Sequence, residues 1–186
     1  MENKKASIWK NSINYGLMTG LVIIIYSVIL YVFNLNLNKG LGYINYVIII
    51  AGIVIGTKNL RDKIQGGNLS YGRGLGSGTL ISIFAGIIAA IYTFVLMKYI
   101  DPDMIEKIFI MMEDGMISQG MPDEQIEIAM MYSKKFTTPI MMLITTIPSY
   151  AFMGFLLSLI TSAILKKKVD PFDAAMANVE TETKEN

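Results

Sequence analysis

Charged residues divide the chain into four apolar stretches. No Asp, Glu, Lys or Arg occurs in residues 11–38, 40–57, 74–97 or 136–165. A helix rises 1.5 Å per residue, so a hydrocarbon layer of about 30 Å needs about 20 residues. The first, third and fourth stretches clear that length. The second is marginal and would stand nearly upright or thin the bilayer locally. A helix on the surface of a water-soluble protein carries a polar stripe at helical spacing; Leu-Val-Ile-Ile-Ile-Tyr-Ser-Val-Ile-Leu-Tyr-Val-Phe, from Leu21 to Phe33, has none. The pattern predicts an all-α integral membrane bundle of four transmembrane helices, with spans at about residues 12–34, 40–57, 75–98 and 137–165. Residues 1–172 then form a single membrane domain, and residues 173–186 read as a disordered tail. Lys4, Lys5 and Lys10 before the first stretch imitate a signal peptide, but the apolar run is too long for one and no small-x-small cleavage site follows Phe33. It reads as an uncleaved first span.

The loop at 99–136 is the one sizeable segment between spans, and its periodicity predicts two short amphipathic helices. Asp101 is placed to cap the first, with Pro102 at its first position and Met104, Ile105, Ile108, Met111, Met112 and Met116 on one face. Gly115 to Met121 breaks the pattern. Pro122 starts the second helix, with Ile126, Met130 and Ile128 on its apolar side, and this helix is expected to run into the fourth span.

Positive charge sets the orientation. With the N-terminus inside, the inner segments hold Lys4, Lys5, Lys10, Lys58, Arg61, Lys63, Arg73, Lys166, Lys167, Lys168 and Lys184, while the outer ones hold Lys39, Lys98, Lys107, Lys134 and Lys135. The loop at 99–136 is net acidic. Both termini are therefore expected in the cytoplasm, with Lys58, Arg61, Lys63, Arg73 and Lys166–Lys168 marking the inner membrane boundary.

Lipid tails give one span no hydrophobic reason to join another, so association needs close backbone approach or interhelical hydrogen bonds. Gly74, Gly78, Ser82, Gly86 and Ala90 recur every four residues and fall on one helix face. Gly154, Ser158 and Ser162 repeat the spacing in the fourth span, Gly52 and Gly56 in the second, and Gly16 and Gly20 in the first. These seams are expected to hold one monomer together; pairing of two copies through the third span is the alternative. Pro148 lies inside the fourth span and is expected to kink it, with Thr145, Thr146 and Ser149 at hand for the freed carbonyls.

Composition narrows the chemistry. The chain is 53% hydrophobic and 17% charged, against about 25% charged for an ordinary soluble domain. Net charge is +1, which gives no case for a nucleic-acid partner. There is no cysteine and no histidine, so thiol nucleophiles, His-based triads and Cys- or His-ligated metals are excluded. Gly72-Arg73-Gly74-Leu75-Gly76-Ser77-Gly78-Thr79 lacks the lysine a phosphate loop needs before its hydroxyl residue. Its glycines read as a close loop-to-helix entry. The 14 methionines suit Cu(I) chemically, but Met111-Met112 and Met130-Met131 send neighbouring thioethers to diverging sides of a helix. Glu106, Glu113, Asp114, Asp123, Glu124 and Glu127 read as a solvated acidic face.

No span contains an ionisable acid, base or histidine of the kind ion-coupled transport uses. The expectation is a non-enzymatic structural or accessory protein with no cofactor. Its partners would be the lipid bilayer and either a second copy or another membrane protein. The alternative is a small oligomeric transporter or channel for an uncharged solute, with Tyr26, Asn45, Ser82 and Thr146 lining a neutral path.

Four features occur in order: Tyr15-Gly16-Leu17-Met18-Thr19-Gly20, Tyr71-Gly72-Arg73-Gly74-Leu75-Gly76-Ser77-Gly78, Tyr99-Ile100-Asp101-Pro102, and the lysine triplet at Lys166. Over roughly residues 5–172 the chain resembles a family of small bacterial inner-membrane proteins known only as a domain of unknown function and found widely in the Bacteroidetes. The resemblance implies a four-span membrane protein. It carries over no catalytic residue and no ligand.

Overall fold

The structure, a computed structural model, describes residues 2–167, with the side chains of 8–38 and 40–167. Lys168 and the tail expected at 173–186 lie outside the described residues. Four helices are long and apolar enough to cross a membrane: Ile8–Val32, Gly40–Ile64, Tyr71–Ile100 and Pro139–Leu165.

Helix α1 (Glu2–Val32) ends in a Schellman turn. Asn34 takes the left-handed conformation at φ 54°, Leu35 N–H donates to the Leu30 carbonyl at 2.8 Å, and Asn34 N–H to that of Tyr31 at 3.0 Å. Helix α2 (Lys39–Gly42) is one turn capped by Asn38, whose Oδ1 accepts from the N–H groups of Gly40 and Leu41. Helix α3 (Ile44–Asn59) follows and continues as a π-helical turn over Leu60–Ile64. The second span is thus longer than its uncharged stretch, 25 residues rather than ending at Thr57. Lys58, Arg61 and Lys63 are long enough to carry their charges to the membrane surface from its last turns, and Arg61 Nε meets Asp62 at 2.6 Å.

Helix α4 (Tyr71–Val95), prolonged by a π-helical turn at Leu96–Ile100, corrects the loop-to-helix reading of the glycine run. Tyr71 onward is already helical. Gly72 and Gly76 face open space, while Gly74 and Gly78 face another helix.

Helix α5 (Met104–Ser118) starts later than its sequence suggests, with Asp103 at the N-cap. Asp101 does not cap; it receives Lys107 Nζ at 2.9 Å, and this hydrogen bond raises the Lys107 pKa above the ordinary lysine value. Gly115 lies within α5, and the break falls at 119–122, where Gly120 has φ 72°. Helix α6 (Asp123–Phe136) buries Ile126 and Met130 but leaves Ile128 49% exposed, so Ile128 does not belong to its packed face. Nor does α6 run into the last span. Thr138 interrupts the chain, its Oγ1 accepting from Met141 N–H at 3.2 Å, and Pro139 opens helix α7 (Pro139–Leu165) at the position where a missing N–H costs nothing.

Helix α4 is the hub, packed against α7, α1 and α3. Ile23, Ile49, Ile53, Ile81, Ala85 and Ala89 form the apolar centre. At the other end Leu96, Met97 and Met104, with Tyr31, Leu37, Tyr92, Ile105, Ile108 and Met142 around them, seat the start of α5 on the bundle; α6 packs on α5. The bundle's exterior departs from the usual soluble arrangement. Ser12, Thr57, Ser77, Ser82 and Ser158 are fully buried, while Leu21, Ile25, Ile29, Phe152 and Ile160 stand outward. Such a surface suits hydrocarbon and not water.

Candidate functional site

The small residues expected to pack helices fall into three seams. On the α4–α7 seam, an added Cβ at Gly74 would lie 2.9 Å from Ser162 Oγ, and one at Gly86 would lie 2.6 Å from Tyr150 Cβ. Gly78 faces Ser158 and Gly154 faces Ser82, both too close for any side chain. Each four-residue step forward on α4 therefore meets a four-residue step back on α7. The same register continues beyond the helices, where Leu69 and Lys167 exchange backbone hydrogen bonds at 2.8 and 3.1 Å. Ala90 is buried one turn beyond Gly86. The face that could have paired two copies is occupied by α7 of the same chain.

On the α1–α4 seam the helices run parallel. A Cβ at Gly16 would sit 2.5 Å from Phe84 Cβ, and one at Gly20 would sit 2.8 Å from Ile88 Cβ. On the antiparallel α1–α3 seam, Gly52 faces Thr19, and Gly56 would meet Tyr15 Cβ at 2.9 Å. Every one of these contacts depends on the absent side chain.

Polar groups that sequence reasoning did not single out lock the positively charged end. Asn11 Nδ2 donates to the Gly56 carbonyl at 3.0 Å, Asn59 Nδ2 donates to Asn11 Oδ1 at 2.8 Å, and the hydroxyls of Ser12 and Ser77 lie 3.3 Å apart. Their signal was weak: Asn11 opens an apolar run and Asn59 follows one, so each looked like a boundary residue. Replacing Asn11 with Ala leaves the Asn59 amide without its acceptor and the Gly56 carbonyl with Leu60 N–H alone, and is expected to cost about 1–2 kcal/mol. A shift in the denaturant midpoint of the purified protein measures it.

The boundary cations gather at this same end. Arg61 Nη1 reaches the Leu165 carbonyl at 3.4 Å and Arg73 Nη1 reaches Gln65 Oε1 at 3.2 Å, while Lys58, Lys63, Lys166 and Lys167 are exposed. Pro148 stands inside an uninterrupted α7. Thr145, Thr146 and Ser149 do not serve the carbonyl it frees, which is that of Ile144; they donate to Met141, Met142 and Thr145. A hydroxyl on a helix reaches most readily back to its own fourth-preceding carbonyl.

Three residues of the expected neutral path are engaged elsewhere. Ser82 is closed off against Gly154, Tyr26 donates to the Leu41 carbonyl at 2.8 Å, and Thr146 donates to Met142. The carboxylates Glu106, Glu113, Asp114, Asp123, Glu124 and Glu127 are all exposed. An open groove of about 600 Å³ between α5 and α6 carries Glu113, Asp123, Glu127 and Lys134. Among the described residues no three acidic side chains converge as a metal site would require.

A family profile matches residues 14–167, most of the chain and all four spans but for the start of the first. The chain belongs to the family described as "Protein of unknown function (DUF4199)". The matched DUF4199 segment opens beside Tyr15-Gly16 and closes at Lys167, so it contains the three seams and the hairpin. The lysines before Asn14 lie outside it. No curated protein matches the chain. No solved structure matches it.

Proposed function

We propose that the chain is a multi-pass protein of a bacterial inner membrane, with both termini in the cytoplasm and a non-enzymatic structural or accessory role. One observation carries this reading: among the described residues the buried polar side chains of the bundle are all neutral, and Thr19, Ser82, Ser158 and Ser162 are spent on contacts with glycines of neighbouring helices. Ion-coupled transporters and proton pathways usually keep an ionisable group facing the interior. Clustering of Lys58, Arg61, Lys63, Arg73, Lys166 and Lys167 at one end supports the orientation. A reporter fused after Asn186 is expected to read as cytoplasmic; an external reading overturns the orientation.

Co-purification from native membranes in mild detergent, followed by native mass measurement, tests the role. A stoichiometric membrane-protein partner is the expected result. A homo-oligomer that passes solute in liposomes would replace this reading with the second one, a small transporter or channel for an uncharged solute. That second reading draws on one specific group, the amide of Asn45.

A further inference from the structure

Asn45 lies in the first turn of α3, within the second span. Its Oδ1 is shielded from solvent and accepts no hydrogen bond from any described residue, and its amide nitrogen donates to none. A shielded amide oxygen with no donor is costly inside a membrane bundle, so it calls for an occupant. Two cavities share this residue in their walls. One, of about 180 Å³, is lined by Ser27, Asn36, Thr93 and Tyr92. The other, of about 250 Å³, is lined by Tyr46, Ser149 and Tyr150. Gly42 and Asn45 line both. Gly42 differs from the seam glycines: a Cβ there would touch nothing within 4 Å. This glycine stands in the wall the two cavities share, at a position with room for a side chain.

We propose that the cavities walled by Asn45 bind a neutral polyol. No charged side chain takes part: the polar side chains lining them are amides and hydroxyls, all able to accept and all but Ser149, whose proton is on the Thr145 carbonyl, able to donate, and they sit among apolar ones such as Leu30, Leu96, Ile49 and Met153. Vicinal hydroxyls match such a lining, since each also donates and accepts. The smaller cavity alone has room for about six waters at ~30 Å³ each, enough for a short polyol. The same chemistry is offered by a free polyol and by the glycerol headgroup of phosphatidylglycerol. The inference depends on neither functional reading, because an accessory protein and a transporter could both hold such a group.

The chain has no cysteine, so Gly42→Cys introduces a single thiol in the shared wall. The full-length variant is placed in phosphatidylcholine nanodiscs and modified with a small methanethiosulfonate reagent, the rate being followed by mass. Ribitol and glycerol are the free probes. At ten times its dissociation constant a bound polyol leaves about one site in eleven empty, so modification is expected to slow about tenfold. Gly115→Cys, at an open position on α5, is the control and is expected to be unaffected. Adding Asn45→Leu should abolish the protection; should that variant fail to purify, Thr93→Val carries the same test.

Slow modification in phosphatidylglycerol nanodiscs with no response to free polyol would assign the occupant to the lipid headgroup. A rate that changes neither with polyol nor between the two lipids would overturn the proposal and leave water as the occupant. It is also overturned if Gly42→Cys resists modification in both lipids, or if protection survives Asn45→Leu.

Discussion

Gly78→Leu is expected to separate α4 from α7 and to abolish the folded bundle. A side chain at Gly78 runs into Ser158 on α7 and also into Ile53 Cγ2 of α3, 2.9 Å from the position of the first added carbon. Three helices meet there, so no single neighbour can move away. Over-packing a close-packed site typically costs about 1–3 kcal/mol, and leucine exceeds the space in two directions. Gly78→Ala is the milder probe. Its added methyl clashes with Ser158, whose Cβ lies 3.0 Å away, so Ser158→Gly should recover much of the loss. A double-mutant cycle on thermal or denaturant midpoints reads that recovery as a coupling energy. Independent, additive effects would mean that the two residues do not face each other.

The second large effect concerns the outward surface. Leu21 and Phe152 lie near the middles of the first and fourth spans and are 56% and 64% exposed. Were they bathed in water, Asp at either site would change stability by no more than about 0.5 kcal/mol. Facing lipid, each should cost about 2.5–3.5 kcal/mol of insertion free energy. Leu21→Asp and Phe152→Asp are therefore expected to deplete the protein from the membrane fraction, while Glu113→Gln on the exposed hairpin should leave it unchanged. Normal membrane levels of both aspartate variants would contradict lipid exposure of these faces.

The spans were legible because lipid-facing helices need no polar stripe, so charge-free length alone marks them. The seam faces were legible too, since glycine and serine at four-residue spacing have few other uses in a membrane helix. What the spacing could not supply was the partner of each seam. Gly16 and Gly20 look like Gly52 and Gly56, yet one pair receives Phe84 and Ile88 and the other receives Tyr15 and Thr19. That choice depends on the three-dimensional register. Helix ends were blurred where two signals coincide. Asp101 and Asp103 flank the same proline, and only Asp103 takes the N-cap position, without a side-chain cap bond. The Thr138-Pro139 start of α7 was hidden by the apolar run that begins at Phe136, although a hydroxyl residue before proline is itself a helix-start signal. Asn45 carried no sequence signal beyond being polar in an apolar stretch; its lack of a partner is a property of the packed bundle.

The claim on which the rest depends is that the glycine seam of α4 closes on α7 of its own chain. The cysteine-free sequence allows a direct measurement. Gly74→Cys and Ser162→Cys are combined, oxidised in native membranes, and the chain is then cleaved at a protease site placed in the 119–122 turn. Cβ atoms at these positions lie 3.1 Å apart, close enough for a disulfide to form with slight adjustment. The predicted result is two fragments held together within one chain until reductant is added, with no such link for the off-register pair Gly74→Cys and Ser158→Cys. Disulfide-linked dimers, or fragments that separate without reductant, would contradict it.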